Sequence, residues 1–427
     1  MPPLRTRRIR PQPQTSVAVI IERRRSVVAN AVIAIIFFAS HLLGIERPLP
    51  RPMHTSILSG SLWIDEILLG HPDRCHRELG MSAALFLLLL AELVATGDLA
   101  DSRFVSAQEQ VAIFVYWLVH GSSQRELQER FQRSGDTISR YLNKGLSLFA
   151  TSSFYDKYVK DPVDYTPAKI LEDPRWYSFF RYWQDVDTAA VRSMEFMSWP
   201  MSLSNTSLRY RDRHGAITQN VLAACDFDLL FTFVMPDYEG TAADGLLFDH
   251  ARRNGFALPP GCYYLADAAF PNCDMLMTPY RGVRYHLKEW KQGNQRPVTP
   301  QNPQELFNLQ HAQLRVVIER CFGVNKRRFD VLLSRPEMGY EQQALMVGAA
   351  AALHNFMRIH EPINDLDDDD DDYDLNGHPF LGEREEVEVL DMIPVVGAVE
   401  KARADVRHDR IAQAMWNVYV QDHPDLQ

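Results

Sequence analysis

Hydrophobic and polar positions divide the chain into a helical first half and a strand-bearing second half. An apolar run, "SVVANAVIAIIFFASHLLG" at residues 26–44, follows "RRR" at 23–25. Cations ahead of an apolar run can mark a signal anchor. This run is barely long enough to span a bilayer and carries Asn30, Ser40 and His41. A buried or interaction helix therefore suits it better, and a membrane is not an expected partner. Residues 45–60 are Pro-rich and read as a linker.

Helical periodicity dominates from Trp63 to about Phe149. Residues 83–95, "AALFLLLLAELVA", are apolar nearly all round, which predicts a buried helix. Ser106 caps a helix running to His120, and Gly121 stops it. Ser123 caps a short helix with Glu126 at the capping-box position. "QRSG" turns the chain, and a third helix begins at Asp136 or Thr137. That order is a helix-turn-helix pattern. It sets Thr137, Arg140, Asn143 and Lys144 outward, with Ile138, Tyr141 and Leu142 inward. DNA contact through Arg140 and Lys144 and a plain helical bundle with a solvated polar face both fit it.

After a Pro- and Asp-punctuated connection at 151–175, strands take over. "NVLAACDFD" (220–228) and "LLFTFVMPDYEG" (229–240) read as a hairpin, and residues 241–256 as an amphipathic helix. "CYYLAD" (262–267) is the next strand and "MLMTPYRG" (275–282) another. Residues 308–333 and 340–361 are long helices. The fold class is therefore α/β, a mixed sheet with flanking helices, preceded by an all-α region.

Composition changes this picture in two places. The net charge of −10 argues against a generally basic nucleic-acid binder, but residues 364–374 hold eight Asp, and without them the remainder sits near −2. Residues 367–372 form a solvated tract that cannot pack. Residues 1–25 hold seven Arg, and "RTRRIR" at 5–10 reads as a nuclear address or a nucleic-acid arm. The five cysteines, at 75, 225, 262, 273 and 321, form no CxxC pair, which suits a reducing compartment.

Candidate chemistry centres on two acids. Asp267 ends the apolar strand "YYLA", where turn duty and metal ligation both suit an Asp. Glu319 lies on a helix whose apolar stripe is Leu314, Val317, Ile318 and Cys321. Arg315, Gly323 and Lys326 share its own face, with Arg320 and Arg327 nearby. A solvated ion-paired surface is the plain interpretation; the gap at Gly323 also admits a metal or a backbone. A strand-end Asp and a helix Glu can meet across a sheet edge, and two or three acids chelate Mg²⁺ or Mn²⁺. Metal ions so held carry out phosphodiester attack. "YRGVRYHLKEWK" (280–291) interleaves Arg281, Arg284 and Lys288 with aromatic residues, as phosphate contact and base stacking require.

The collinear runs "RYRDRHGAITQNVLAACDFDLLFTFVMPDYEGTAADGLLFDHA", "YYLADAAFPN", "LMTPYRGVRYHLKEW", "NPQELFNLQHAQLRVVIERCFGVNKRRF" and "ALHNFMRIH", over residues 209–360, resemble the DDE endonuclease domain of PIF/Harbinger-type transposases and their domesticated nuclease relatives. Residues 60–150 resemble the helical region preceding that domain in fungal members, and "RIAQAMWNVY" (410–419) their usual ending. The resemblance implies an RNase H-like fold with a metal-binding Asp on the first strand, an Asp ending the fourth, and a Glu on a following helix. The last two fall on Asp267 and Glu319. Asp244 of "GTAAD" matches a further characteristic Asp, although Ala243 replaces the His that usually precedes it. Turn or N-cap duty suits Asp244 equally well.

The first acid departs from the family's G-A-hydrophobic-D-G-T-H pattern. The nearest fit is "VDTAAV" (186–191), which makes Asp187 the candidate, with Asp185 as fallback. The implied organisation is a basic and apolar segment (1–60), a helical domain (61–150), the endonuclease domain (176–360) and an acidic tract with a helical tail (361–427). The implied function is a nuclear, divalent-metal-dependent DNA endonuclease with metal ligands Asp187, Asp267, Glu319 and Asp244. DNA contacts would come from Arg140, Lys144, Arg281, Arg284, Lys288, Arg315 and Lys326. Further expected partners are a separate Myb-like DNA-binding protein and a second copy of the chain. The alternative is a catalytically inactive DNA- or protein-binding module, motivated by the altered first motif.

Overall fold

A computed structural model describes residues 16–42, 52–151, 153–161, 191–200, 218–239, 244–258, 262–285, 290, 299–334, 336, 338–361 and 396–423. Asp185, Asp187, Lys288, residues 5–10 and the acidic tract lie outside them. The chain divides into two compact units, Met1–Thr55 and Ser56–Gln427. The first contributes α1 (Ser16–Leu42), which contains most of the early apolar run. Among the described residues no single helix is long and apolar enough to cross a membrane.

The second unit begins with seven helices: α2 (Gly60–Leu69), α3 (Pro72–Leu79), α4 (Ala83–Ala95), α5 (Ala107–His120), α6 (Gln124–Phe131), α7 (Gly135–Ala150) and α8 (Ser153–Tyr158). Serine starts many of them. The Oγ atoms of Ser59, Ser82, Ser106, Ser123 and Ser134 each accept a hydrogen bond from the backbone N–H three residues on. Each satisfies one donor that a helix start leaves unpaired. The expected capping box of Ser123 and Glu126 is present. The third helix starts slightly earlier than the sequence suggested, because Ser134 is the better cap. Between α6 and α7 the turn residue Arg133 forms a bidentate pair with the buried Glu109 of α5, both N···O distances being 2.8 Å. That pair fixes the turn.

Five strands follow in the spatial order β3-β2-β1-β4-β5. They are β1 (Val191–Pro200), β2 (Thr218–Cys225), β3 (Phe231–Glu239), β4 (Tyr263–Ala266) and β5 (Leu276–Met277). β1 pairs antiparallel with β2 and β2 antiparallel with β3, whereas β4 runs parallel to both β1 and β5. The predicted hairpin is β2–β3. Its turn is held by Asp226 Oδ1, which accepts from the N–H groups of Asp228 and Leu230 at 2.9 Å each. The strand expected over 275–282 is only two residues long, since Pro279 has no N–H to donate and a turn follows at Arg281–Gly282.

α9 (Asp244–Arg253) covers one face of the sheet, and α10 (Pro303–Arg328) crosses the other against β1, β2 and β4. α11 (Tyr340–His360) packs along β3 and along α7. One hydrophobic core therefore runs from Trp63 of α2 to Met357 of α11. Phe149, Phe154, Tyr158 and Phe356 form its aromatic seam, with ring centroids 4.6–5.8 Å apart. α12 (Ala398–Asp422) closes the unit against α10.

Candidate active site

Alternation along β4 sorts its side chains between the two faces. Tyr263 and Leu265 pack with Phe307 and Leu314 of α10, whereas Tyr264 and Ala266 pack with Leu247 and Phe248 of α9. Asp267 is the next residue on the α10 side. Its Oδ1 accepts from the Ala268 N–H at 2.6 Å. The turn it opens is held from outside: Arg281 donates to the carbonyls of Ala268 and Phe270 at 2.8 and 3.5 Å.

α10 presents His311, Arg315 and Glu319 at four-residue intervals, hence on one face. His311 is fully buried, and burial lowers its pKa to about 3, opposed in part by the charge of Asp267. With the ring neutral, its Nε2–H donates a hydrogen bond to the Met277 carbonyl at 3.0 Å. One turn on, Arg315 Nε donates to the Tyr285 hydroxyl at 3.0 Å and Nη2 donates to Glu319 Oε1 at 2.6 Å. Burial above all raises the Tyr285 pKa, and the charges of Asp267 and Glu319 add to it while Arg315 opposes them.

Tyr285 is delivered by a loop that α10 itself fastens. Asn308 is fully buried. Its Oδ1 accepts from the Tyr280 N–H at 2.8 Å, and its Nδ2 donates to the carbonyls of Tyr280, Val283 and Arg284 at 3.0–3.3 Å. α12 anchors the start of the same loop. Arg403 pairs with Asp274, Arg407 donates to the Cys273 and Asp274 carbonyls, and Tyr280 donates to Asp409 at 2.8 Å. His408 stacks on Tyr280 with ring centroids 3.9 Å apart.

Asp267 thus directly follows β4, and Glu319 lies on α10, the helix that packs against β4. Asp244 opens α9, on the opposite face of the sheet from α10. Among the described residues no three His, Cys, Asp or Glu side chains form a metal-binding group. The expected DNA-contacting cations have mixed surroundings. Arg140 is exposed, while Lys144 donates to Gln110 at 2.8 Å and its neighbour Asn143 accepts from Gln342 of α11. Arg284 stacks on Trp290, 5.0 Å from the ring centroid. Arg281 and Arg315 serve the turn and Glu319 as described, and Lys326 lies in the last turn of α10. Tyr285, His311 and Asn308 were not singled out from sequence. The four-residue spacing from His311 through Arg315 to Glu319 was a visible signal; the loop contacts of Asn308 and Tyr285 exist only in the folded chain.

Residues 195–355 match the DDE superfamily endonuclease family. The match contains Asp267, Arg315, Glu319, every element from β2 to α10 and most of α11. Residues 55–151, the helices α2 to α7, match a domain of unknown function, DUF8040. Comparison with curated proteins and with solved structures finds no significant match. The matched segment accordingly contains most of the sheet and all of α10, and with them both acids.

Proposed function

We propose that the chain is a transposase-derived DNA endonuclease that depends on a divalent metal, Mg²⁺ or Mn²⁺, and is of the PIF/Harbinger type. The observation that carries it is the placement of Asp267 at the end of β4 and of Glu319 on α10, the helix packed against β4, inside the segment matched to DDE endonucleases. The strand order β3-β2-β1-β4-β5, with an antiparallel β1–β2–β3 half and parallel β4 and β5, supports an RNase H-like domain. Carboxylate oxygens are the donor set that hard divalent cations prefer, so the two acids fit such an ion.

A bound divalent ion would supply an activated water or 3′-hydroxyl and a stabilised leaving oxygen. The protein's own share is positioning. Arg315 orients Glu319 through a charge-assisted bond and offsets the repulsion between the two acids. Arg281 fixes the turn after Asp267. Asp187 is the sequence candidate for a third carboxylate, and Asp244 for a peripheral one. Cations on the loop after β5, among them Arg281, Arg284 and Lys288, are proposed to hold DNA phosphates. The basic segment at 5–10 supports a nuclear location, with a Myb-like protein and a second copy of the chain as partners.

Supercoiled plasmid incubated with the full chain and Mg²⁺ or Mn²⁺ tests this. Nicking that chelation stops and Glu319→Gln abolishes is the expected result. Nicking unchanged in Glu319→Gln would sink the proposal. A second reading, a binding module without catalysis, is favoured by the engagement of Glu319 with Arg315. Tight metal-independent DNA binding with no nicking at any Mn²⁺ concentration would select it.

A further inference from the structure

We infer that Glu195 of β1, rather than Asp187, supplies the third carboxylate. The inference rests on the nuclease reading above and deepens it. Its basis is strand register. β1 and β4 run parallel with Val191 opposite Tyr263, Ser193 opposite Leu265 and Met194 opposite Ala266. One more step along both strands sets position 195 level with Asp267. On its other side β1 pairs antiparallel with β2, and Glu195 lies opposite Ala223.

Both neighbours of position 195 belong to the α10 side of the sheet. Ala223 shares a core with Ile318, Cys321 and Phe322 of α10, whereas Leu222 and Ala224 face the α9 core. Asp267 follows Leu265, which packs on α10. Directly paired residues on adjacent strands share a face. Position 195 is therefore on the face that carries Asp267 and under the helix that carries Glu319.

Chemistry points the same way. β1 is an interior strand, with β2 on one side and β4 on the other. A hard divalent ion held by Asp267 and Glu319 prefers further oxygen ligands, and an acid at position 195 offers one. Ala223, directly opposite, is a small residue. Asp187 precedes position 195 by eight residues, and the β1 end nearest to it pairs with Tyr263, the end of β4 away from Asp267.

The test is Mn²⁺ affinity of the full chain by titration calorimetry, beside plasmid nicking, for wild type, Glu195→Gln, Glu195→Asp and Asp187→Asn. Groups that only orient a metal's ligands already cost about 10- to 100-fold in affinity when removed, so loss of a ligand should cost at least as much. Glu195→Gln is expected to weaken Mn²⁺ binding about tenfold or more, Glu195→Asp to fall between it and wild type, and Asp187→Asn to bind as wild type does. Wild-type affinity in folded Glu195→Gln, or a tenfold loss in Asp187→Asn alone, overturns the inference while the nuclease reading stands. A wild-type chain that binds no Mn²⁺ overturns both. Should Glu195→Gln fail to fold, Glu195→Asp decides: unchanged affinity in that variant refutes the assignment.

Discussion

Arg315 is the residue on which the site's geometry turns. Its guanidinium reaches the Tyr285 hydroxyl with one nitrogen and Glu319 with another. Arg315→Gln keeps the length but loses the charge and the fork. It should lower the nicking rate about 10- to 100-fold through misplaced Glu319, with a smaller change in DNA affinity, as single-turnover rates against DNA titrations will show. A steric limit sits far from this site. A Cβ built on Gly145 of α7 falls 2.2 Å from the Phe114 ring, which itself stacks on Phe149 at 5.2 Å. Gly145→Ala should therefore cost about 1–3 kcal/mol of stability, measured by urea unfolding. Glu109 and Arg133 make a third case. Glu109 is buried, and loss of Arg133 leaves its charge without that partner. Arg133→Met should cost about 3–5 kcal/mol in the same assay.

At the scale of elements, the helices were legible because their signals are local. Ser106, Ser123, Gly121 and the apolar stripe of α10 announce boundaries and faces without help from the rest of the chain. Asp267 was legible for the same reason, as an acid ending an apolar run. β1 was not. Its sequence, VRSMEFMSWP, has no clean alternation, and its place is set by β2 on one side and β4 on the other. That is why Asp187 stood out as the first-strand acid from sequence and why Glu195 emerges only from register. β5 shrank from an expected eight-residue strand to Leu276–Met277 because Asn308 captures the backbone beyond it. Asn308→Ala should release that loop and Tyr285 with it. The expected outcome is about 2–4 kcal/mol of lost stability by thermal or urea unfolding, because three carbonyls of half-buried residues lose their donor together.

For the whole Ser56–Gln427 unit, buried neutral histidines set the response to acid. Burial lowers His311 to about 3 and His408 to about 4, and pushes His354 well below its usual value. An unfolded histidine titrates near 6.5. Between pH about 6.5 and about 4 the unfolded chain therefore binds protons that the folded chain does not. Stability is intact above about pH 6.5 and falls as pH drops, by about 1.4 kcal/mol per pH unit for each histidine. Urea midpoints at pH 7.5 and pH 5.5 should show a marked loss at the lower pH, reduced in His408→Gln. The shared core of α2–α8 with α11 adds a mechanical consequence: the helical region and α11 stabilise each other through Phe149, Phe154, Tyr158 and Phe356. The site thus depends on helices far from it in sequence.

On the proposed function Asp267 and Glu319 share one metal ion. Anomalous diffraction from crystals soaked in Mn²⁺ would locate it. A single peak within coordination distance of both carboxylates is the predicted result. A peak on neither acid, or on one of them alone, would contradict it.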